Sequence, residues 1–416
     1  MNRKFMQKSM LFRFSLYGFL KNQQYYAPFI ILAFREKGLS FFLIGILVGF
    51  REICINLFEI PSGAVADLYG RRRAMMFSFI SYIISFAVFA LSKSIILLFL
   101  AMFFFALGEA FRTGTHKAMI FDWLRIQGRV NEKTRVYGYT RSWSKIGSAL
   151  SVIIAAALVF YSGSYNNIFW FSIIPYILGI INFFGYDAVL DGERKTKFSI
   201  KSVALLLKDA FREVTRMPSM RRLITESMTF QGMFNVGKYY LQPILKQAAV
   251  ALPVLVALED KERGAILVGF VYFILNILAF IASRQSHKLS NWRGGEESTA
   301  RSLWYANWLM YLVLIPLLWF KINVAVITIF IILSTIMNFW RPVMLSRINV
   351  HSTPEISATV LSIESQSISV TTMIIAPLLG WLVDKTGAFW PVGVTGSIIS
   401  TIIIFSYMSK KHEKLA

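Results

Sequence analysis

Hydrophobic residues of this chain are grouped into long runs, and the polar residues fall mainly between them. The stretch IILLFLAMFFFAL at 95–107 is one example, and runs near 20 residues recur along the whole length. A run of that length crosses the hydrocarbon core of a bilayer as an α-helix. The pattern therefore predicts an all-α polytopic membrane protein. Its twelve transmembrane helices are predicted to begin near residues 11, 40, 74, 95, 138, 166, 223, 264, 302, 322, 355 and 388.

Composition agrees with this class and argues against an enzyme. Of 416 residues, 56% are hydrophobic and only 16% are charged, whereas about 25% are charged in a typical soluble protein. The single cysteine excludes an internal disulfide, and the four histidines have no metal-ligand spacing. The segment GMFNVGKY at 232–239 has the glycines and lysine of a phosphate loop, but no Ser or Thr follows the lysine and the segment lies in an apolar run. We interpret it as a coincidence, and we expect no cofactor, metal or catalytic group.

The net charge of +22 reflects membrane orientation and not nucleic-acid binding. If the N-terminus is cytoplasmic, Lys and Arg are concentrated in the cytoplasmic connections, as the positive-inside rule requires. The even number of spans then places both termini in the cytoplasm, and the compact termini and loops favour a bacterial inner membrane. The longest connection, 187–222, is basic and contains an amphipathic stretch at 202–214, which predicts a helix on the membrane surface.

The two halves of the chain are related in sequence. The segment ILVGF occurs at 46–50 and again at 266–270, and the EAFR that ends at Arg112 matches the NFWR that ends at Arg341. Internal repeats of six spans are typical of transporters with a binding site near the bilayer midplane. The predicted organisation is an N-terminal half at 1–186, a cytoplasmic linker at 187–222 and a C-terminal half at 223–416. The small-residue spacing of GILVG at 45–49 predicts close helix packing.

The connection between the second and third spans carries a motif. In EIPSGAVADLYGRRR, Gly63, Asp67, Gly70, Arg71 and Arg72 have the spacing G-x-x-x-D-x-x-G-R-R. This closely resembles the signature loop of the major facilitator superfamily, although Leu68 stands where the family usually has a base. The resemblance implies two pseudo-symmetric six-helix halves, a monomer in the lipid bilayer, and alternating access. It also implies a gating role for Gly63, Asp67, Gly70 and Arg71. The matching segment of the second half, HKLSNWR at 287–293, lacks the acid and the glycine.

Charged residues within the spans are costly in lipid, which makes them candidates for function. In the family, spans one, four, seven and ten line the central cavity. Those spans carry four bases here, Lys21, Arg112, Lys238 and Arg341. The resemblance therefore implies a basic cavity for a small anionic or zwitterionic organic solute, with the two equivalent arginines gripping one anion. Neutral hydrogen bonds are assigned to Tyr25, Tyr239, Gln24 and Asn338. The alternatives are that Glu109 neutralises Arg112 structurally and that the tyrosines serve packing.

A coupling proton requires a carboxylate whose protonation changes during transport. The candidates are Glu109, Glu364 and Glu52, since burial and a nearby arginine act in opposite directions on a carboxyl group. Two other functions are compatible with the same fold. One is efflux of amphipathic drugs, and the other is a non-transporting sensor.

Overall fold

The computed structural model describes residues 3–191, 217–251, 257–352 and 357–408. The amphipathic stretch predicted at 202–214 lies outside the described residues. Within them, the regular structure is helical, as the apolar runs predict. Six prolines are accommodated inside the described helices, namely Pro61, Pro175, Pro243, Pro316, Pro342 and Pro377.

Contacts divide the chain into two compact units. The first comprises Met1–Lys37 and Phe50–Ile200, and the second comprises Gly38–Gly49 and Lys201–Ala416. The sequence prediction assigned residues 38–49 to the N-terminal half, whereas their contacts in the structure assign them to the second unit. The first eight helices are α1 Arg3–Leu20, α2 Ile30–Glu36, α3 Phe41–Tyr69, α4 Arg71–Leu91, α5 Ile95–Arg112, α6 Thr115–Ile126, α7 Lys133–Ser162 and α8 Asn167–Phe184. The helices that follow are α9 Pro218–Ala251, α10 Asp260–Trp292, α11 Glu296–Trp319, α12 Asn323–Val350, α13 Ser357–Thr386 and α14 Pro391–Ile403.

Helices α1, α3, α4, α5 and α7 to α14 lie at the positions of the twelve predicted spans. Within the described residues, nine helices are long and apolar enough to cross a membrane, and Pro391–Ser406 is a shorter apolar helix. Helices α1 and α9 are more polar on average, because each carries several bases. The prediction of an all-α polytopic fold is therefore confirmed.

The signature segment is helical where the sequence predicts a loop. Helix α3 continues to Tyr69, so Gly63 and Asp67 lie within it, and the chain turns only at Gly70. Gly70 has φ of 100°, a conformation that glycine adopts without steric cost. The loop is thus reduced to one residue between two helices.

Small residues let the start of α3 pack closely on α13 within the second unit. A Cβ added at Gly45 would lie 2.3 Å from the Ala376 carbonyl oxygen, and one at Gly49 would lie 3.1 Å from that of Met373. The Asp384 carboxylate accepts the backbone N–H groups of Phe41 and Phe42 at 3.0 and 2.7 Å and so caps the helix. The close packing predicted for GILVG is confirmed.

Candidate functional site

A polar cavity lies between α1 and α7 in the first unit. Glycines bring the two helices together, because a Cβ at Gly18 would lie 2.8 Å from Ser144 Oγ and one at Gly147 would lie 2.6 Å from the Phe19 carbonyl oxygen. The cavity has a volume of about 230 Å³. Its apolar wall includes Phe14 and Ile120, so it offers both polar and apolar contacts to a small solute.

Three bases line this cavity, namely Lys21, Arg141 and Lys145. Lys21 is half-buried, and Arg141 and Lys145 are more open to solvent. Arg141 lies close enough to both lysines for the charges to repel each other. Its Nη1 is 3.5 Å from the Tyr137 hydroxyl, and the Lys21 ammonium lies 5.6 Å from the centre of the Tyr17 ring. Of these residues, only Lys21 was predicted to bind substrate.

Glu109 and Arg112 form the ion pair that their spacing on α5 predicts. Arg112 donates to Glu109 Oε1, and the Tyr82 hydroxyl of α4 donates to Oε2. Arg112 also lies close enough to Tyr17 to interact with it electrostatically, and Tyr17 lines the cavity. Both carboxylate oxygens of Glu109 therefore accept hydrogen bonds. This is the arrangement expected if Glu109 serves to neutralise Arg112 structurally.

Arg341 of α12 pairs with a carboxylate from a different helix. Its Nη1 donates to Oε1 of Glu364 on α13, and the Ser227 hydroxyl of α9 donates to the same oxygen. The Glu364 side chain is 0% exposed, whereas that of Arg341 is 41% exposed. Oε2 of Glu364 is buried and has no hydrogen-bond partner in the described structure. The equivalent arginines of the two halves thus both have glutamate partners, and the prediction that they share one anion stays a prediction.

A second charged cluster, not anticipated from sequence, joins α9, α11 and α12. The buried Arg347 donates from Nη1 to Glu226 Oε2 at 2.7 Å and from Nε to Glu297 Oε2 at 2.8 Å. Arg222 donates from Nε to Glu226 Oε1 at 2.7 Å and also pairs with Glu297. Four charges with two of each sign neutralise one another, so this cluster is a structural element of the second unit.

The signature residues make contacts within the first unit. Arg71 donates to Asp122 on α6, and Asp122 also pairs with Arg125 at 3.0 Å. The backbone N–H of Arg72 donates to Asp191 Oδ1 at 2.9 Å. A Cβ on Gly70 would lie 2.8 Å from the Asp191 carboxyl carbon, so this glycine has a steric as well as a conformational role. The side chain of Asp67 lies outside the described residues, and the gating role of Gly63, Asp67, Gly70 and Arg71 stays a prediction.

The other predicted site residues make local contacts. Glu52 pairs with its neighbour Arg51 at 2.5 Å, and Asn338 donates to the Ser334 carbonyl oxygen at 2.7 Å. Lys238 is exposed and lies 3.4 Å from Asn235 Oδ1. Gln24, Tyr25 and Tyr239 are half-buried. Across the described part of the chain, no three His, Cys, Asp or Glu side chains are grouped so as to hold a metal ion.

Comparison with known proteins identifies the family. The model of the Major Facilitator Superfamily matches residues 14–366, and this chain belongs to that superfamily. It is a non-enzymatic membrane transporter. A curated relative, the uncharacterized MFS-type transporter YxaM of Bacillus subtilis (strain 168), is 33% identical over 90 residues, which cover 22% of this chain and 23% of YxaM.

Solved transporters share the fold. The nucleoside transporter NupG has a TM-score of 0.77 at 12% identity, with coverage of 96% of this chain and 98% of NupG. A POT family transporter in complex with 5-aminolevulinic acid has a TM-score of 0.71 at 15% identity, with 95% of each chain covered. At these identities the similarity extends to the fold alone.

Proposed function

We propose that this transporter moves a small anionic or zwitterionic organic solute together with a proton, by alternating access. The observation that carries the proposal is the pair formed by Arg341 and Glu364 in the second unit. Its carboxylate is fully buried and has one oxygen without a hydrogen bond in the described structure, while its arginine is 41% exposed. The pair therefore combines a group that can accept a proton with a cation that is accessible to a solute.

The energetics favour a functional role for this pair. A charge within a membrane span costs about 2.5–3.5 kcal/mol on insertion scales, and a buried oxygen without a hydrogen bond adds about 1–3 kcal/mol. A solute carboxylate or phosphate that binds Arg341 would replace Glu364 as its counter-ion. Glu364 would then take up a proton on Oε2 while Oε1 keeps the hydrogen bond from Ser227. Solute and proton are bound together in this scheme and cross in the same direction.

Glu109 is a weaker candidate for the coupling group. Both of its oxygens accept hydrogen bonds, from Arg112 and from Tyr82, so protonation would break an existing contact. Glu52 pairs with Arg51, the adjacent residue of its own helix. We therefore assign coupling to Glu364 and a structural role to Glu109. We further propose that the protein is a monomer in a bacterial inner membrane, with both termini in the cytoplasm.

The test is solute uptake driven by a pH gradient in proteoliposomes that contain the full chain. Organic anions, zwitterions, neutral nucleosides and hydrophobic cations are applied to the wild type and to Glu364→Gln. For an active anion or zwitterion, we expect an inward proton gradient to drive uptake in the wild type. In the Gln variant the gradient should have no effect, while exchange of labelled for unlabelled solute continues.

Glu109→Gln is the matched control, because it makes the same change in the glutamate partner of the equivalent arginine, Arg112. It should keep the response to the pH gradient. An unchanged pH response in Glu364→Gln would refute the coupling assignment. Transport of hydrophobic cations alone would instead support the alternative of drug efflux.

A further inference from the structure

The three bases of the cavity between α1 and α7 indicate the charge of the solute that it binds. We infer that this cavity is a binding site for a doubly charged anionic group, a phosphate monoester or a phosphonate. The inference rests on the proposed transport function and names the class of its solute. It differs from the sequence prediction, because Arg141 and Lys145 of α7 supply two of the three charges and the site is contained in the first unit.

The first step is the charge balance. In the described part of the chain, none of Lys21, Arg141 and Lys145 forms an ion pair with a carboxylate. The acid that acts on Lys21 is Glu109, and it is already paired with Arg112. Glu109 and Arg112 offset each other, so this pair adds no net charge to the three cavity bases. A monoanion would leave most of this charge uncompensated, whereas a dianion offsets two of the three cavity bases.

The second step is the geometry of the donors. Arg141 offers a planar pair of N–H groups that suits two phosphate oxygens, and each lysine supplies a point charge. Asn22 and Ser148 also line the cavity, and their side chains hydrogen-bond to each other at 3.3 Å. Asn22 Nδ2 donates one of its two N–H groups to the Gly18 carbonyl oxygen at 2.7 Å, and its second N–H can donate to a phosphate oxygen.

The third step is size. A volume of about 230 Å³ lies below the usual 300–1,000 Å³ range of sites for drug-sized ligands. It equals the liquid volume of several water molecules at about 30 Å³ each. The cavity therefore fits a small phosphorylated solute. Tyr17 and His116 line one wall of the cavity, and their rings stack on each other with centroids 3.7 Å apart, which holds this wall in place.

Binding is tested by thermal shift on the full chain in an uncharged detergent at constant ionic strength. The probes are inorganic phosphate, glycerol phosphate, malonate and acetate. We expect glycerol phosphate to stabilise the wild type most and acetate least. Because the second pKa of a phosphate monoester is about 6, the affinity for glycerol phosphate should rise as the pH is increased from about 5.5 to about 7.5.

Variants distinguish this site from general electrostatic attraction. Lys145→Met, Arg141→Met and Lys21→Met should each weaken glycerol phosphate binding by about tenfold to a hundredfold, the usual effect of losing one charge-assisted hydrogen bond. Lys117→Met is the matched control, since this exposed lysine lies on the neighbouring α6, 5.6 Å from the centres of the Phe121 and Tyr137 rings. It should bind as the wild type does. Equal weakening in the control, or equal binding of acetate and glycerol phosphate, would overturn the inference.

Two further arms separate the alternatives. A lipid headgroup also carries phosphate, so phosphatidylglycerol is added in place of the small probes. Stabilisation by this lipid alone would refute a solute site. The two proposals can also fail separately. Glycerol phosphate binding that depends on Lys21, Arg141 and Lys145, without any effect of a pH gradient on uptake, would refute the coupling through Glu364 and leave this inference standing. Gradient-driven uptake of an anion without such binding would refute this inference alone.

Discussion

Arg347→Met should destabilise the protein strongly, because it removes the most buried cation of the α9–α11–α12 cluster. Arg347 is 3% exposed and holds Glu226, which is 0% exposed. Breaking a buried ion pair by removing one partner costs about 3–5 kcal/mol. We expect the lower end, about 3 kcal/mol, because Arg222 keeps its 2.7 Å hydrogen bond to the other oxygen of Glu226.

A loss of about 3 kcal/mol corresponds to a decrease in Tm of about 6–12 °C for a unit of roughly 200 residues. The assay is thermal unfolding of the purified chain in detergent at one fixed scan rate, which is necessary because large membrane proteins often unfold irreversibly. Arg222→Met is the matched control. It removes the same charge from the same two glutamates at a position that is 24% exposed, and partly exposed pairs contribute about 0–1 kcal/mol.

The double variant Glu226→Gln with Arg347→Met separates the loss of charge balance from the loss of packing. If an uncompensated carboxylate causes the instability, the double variant should be less destabilised than the sum of the single variants, by about 0.5–3 kcal/mol. Equal and small shifts for Arg347→Met and Arg222→Met would refute the reasoning. They would mean that burial of this cluster does not determine its contribution to the free energy of unfolding.

Substitutions at four further positions, Gly45, Gly63, Asp191 and Trp340, test packing and a backbone hydrogen bond. Gly45→Ala should lower the free energy of unfolding by about 1–3 kcal/mol, because its Cβ would lie 2.3 Å from a carbonyl oxygen. Nothing lies within 4 Å of a Cβ at Gly63, so Gly63→Ala should stabilise helix α3 by about 0.5–1 kcal/mol. A lower Tm for Gly63→Ala would contradict this. Asp191→Ala should lower the free energy of unfolding by about 0.5–2 kcal/mol, because it removes the 2.9 Å hydrogen bond from the Arg72 backbone N–H. Asp191→Asn keeps an acceptor oxygen and should recover part of that loss in the same thermal scan. Trp340→Ala should lower stability by about 3–5 kcal/mol, because its fully buried ring stacks on Phe230 at 4.2 Å; a shift no larger than that of exposed Trp292→Ala would show that the stack contributes little.

Local spacing accounts for the features that were predicted correctly. Apolar runs of sufficient length determine membrane helices without tertiary information, and residues three apart on one helix share a face. The pair of Glu109 and Arg112 and the close packing at Gly45 follow from such spacing. The helical path through Gly63 was missed, because a glycine favours a turn locally but is tolerated within a helix that its neighbours support.

Only the tertiary structure determines which charges from different helices meet. Glu364 was a candidate from sequence, but its partner Arg341 lies 23 residues away, and the rotation of α13 against α12 that joins them has no local signature. Arg347 and Glu226 are separated by 121 positions, and Lys21 meets Arg141 and Lys145 through glycine contacts between α1 and α7. Sequence determines which residues share a helix face, because helical periodicity is a local property. Packing of complementary surfaces determines which faces meet, and the charge of each site depends on that second step.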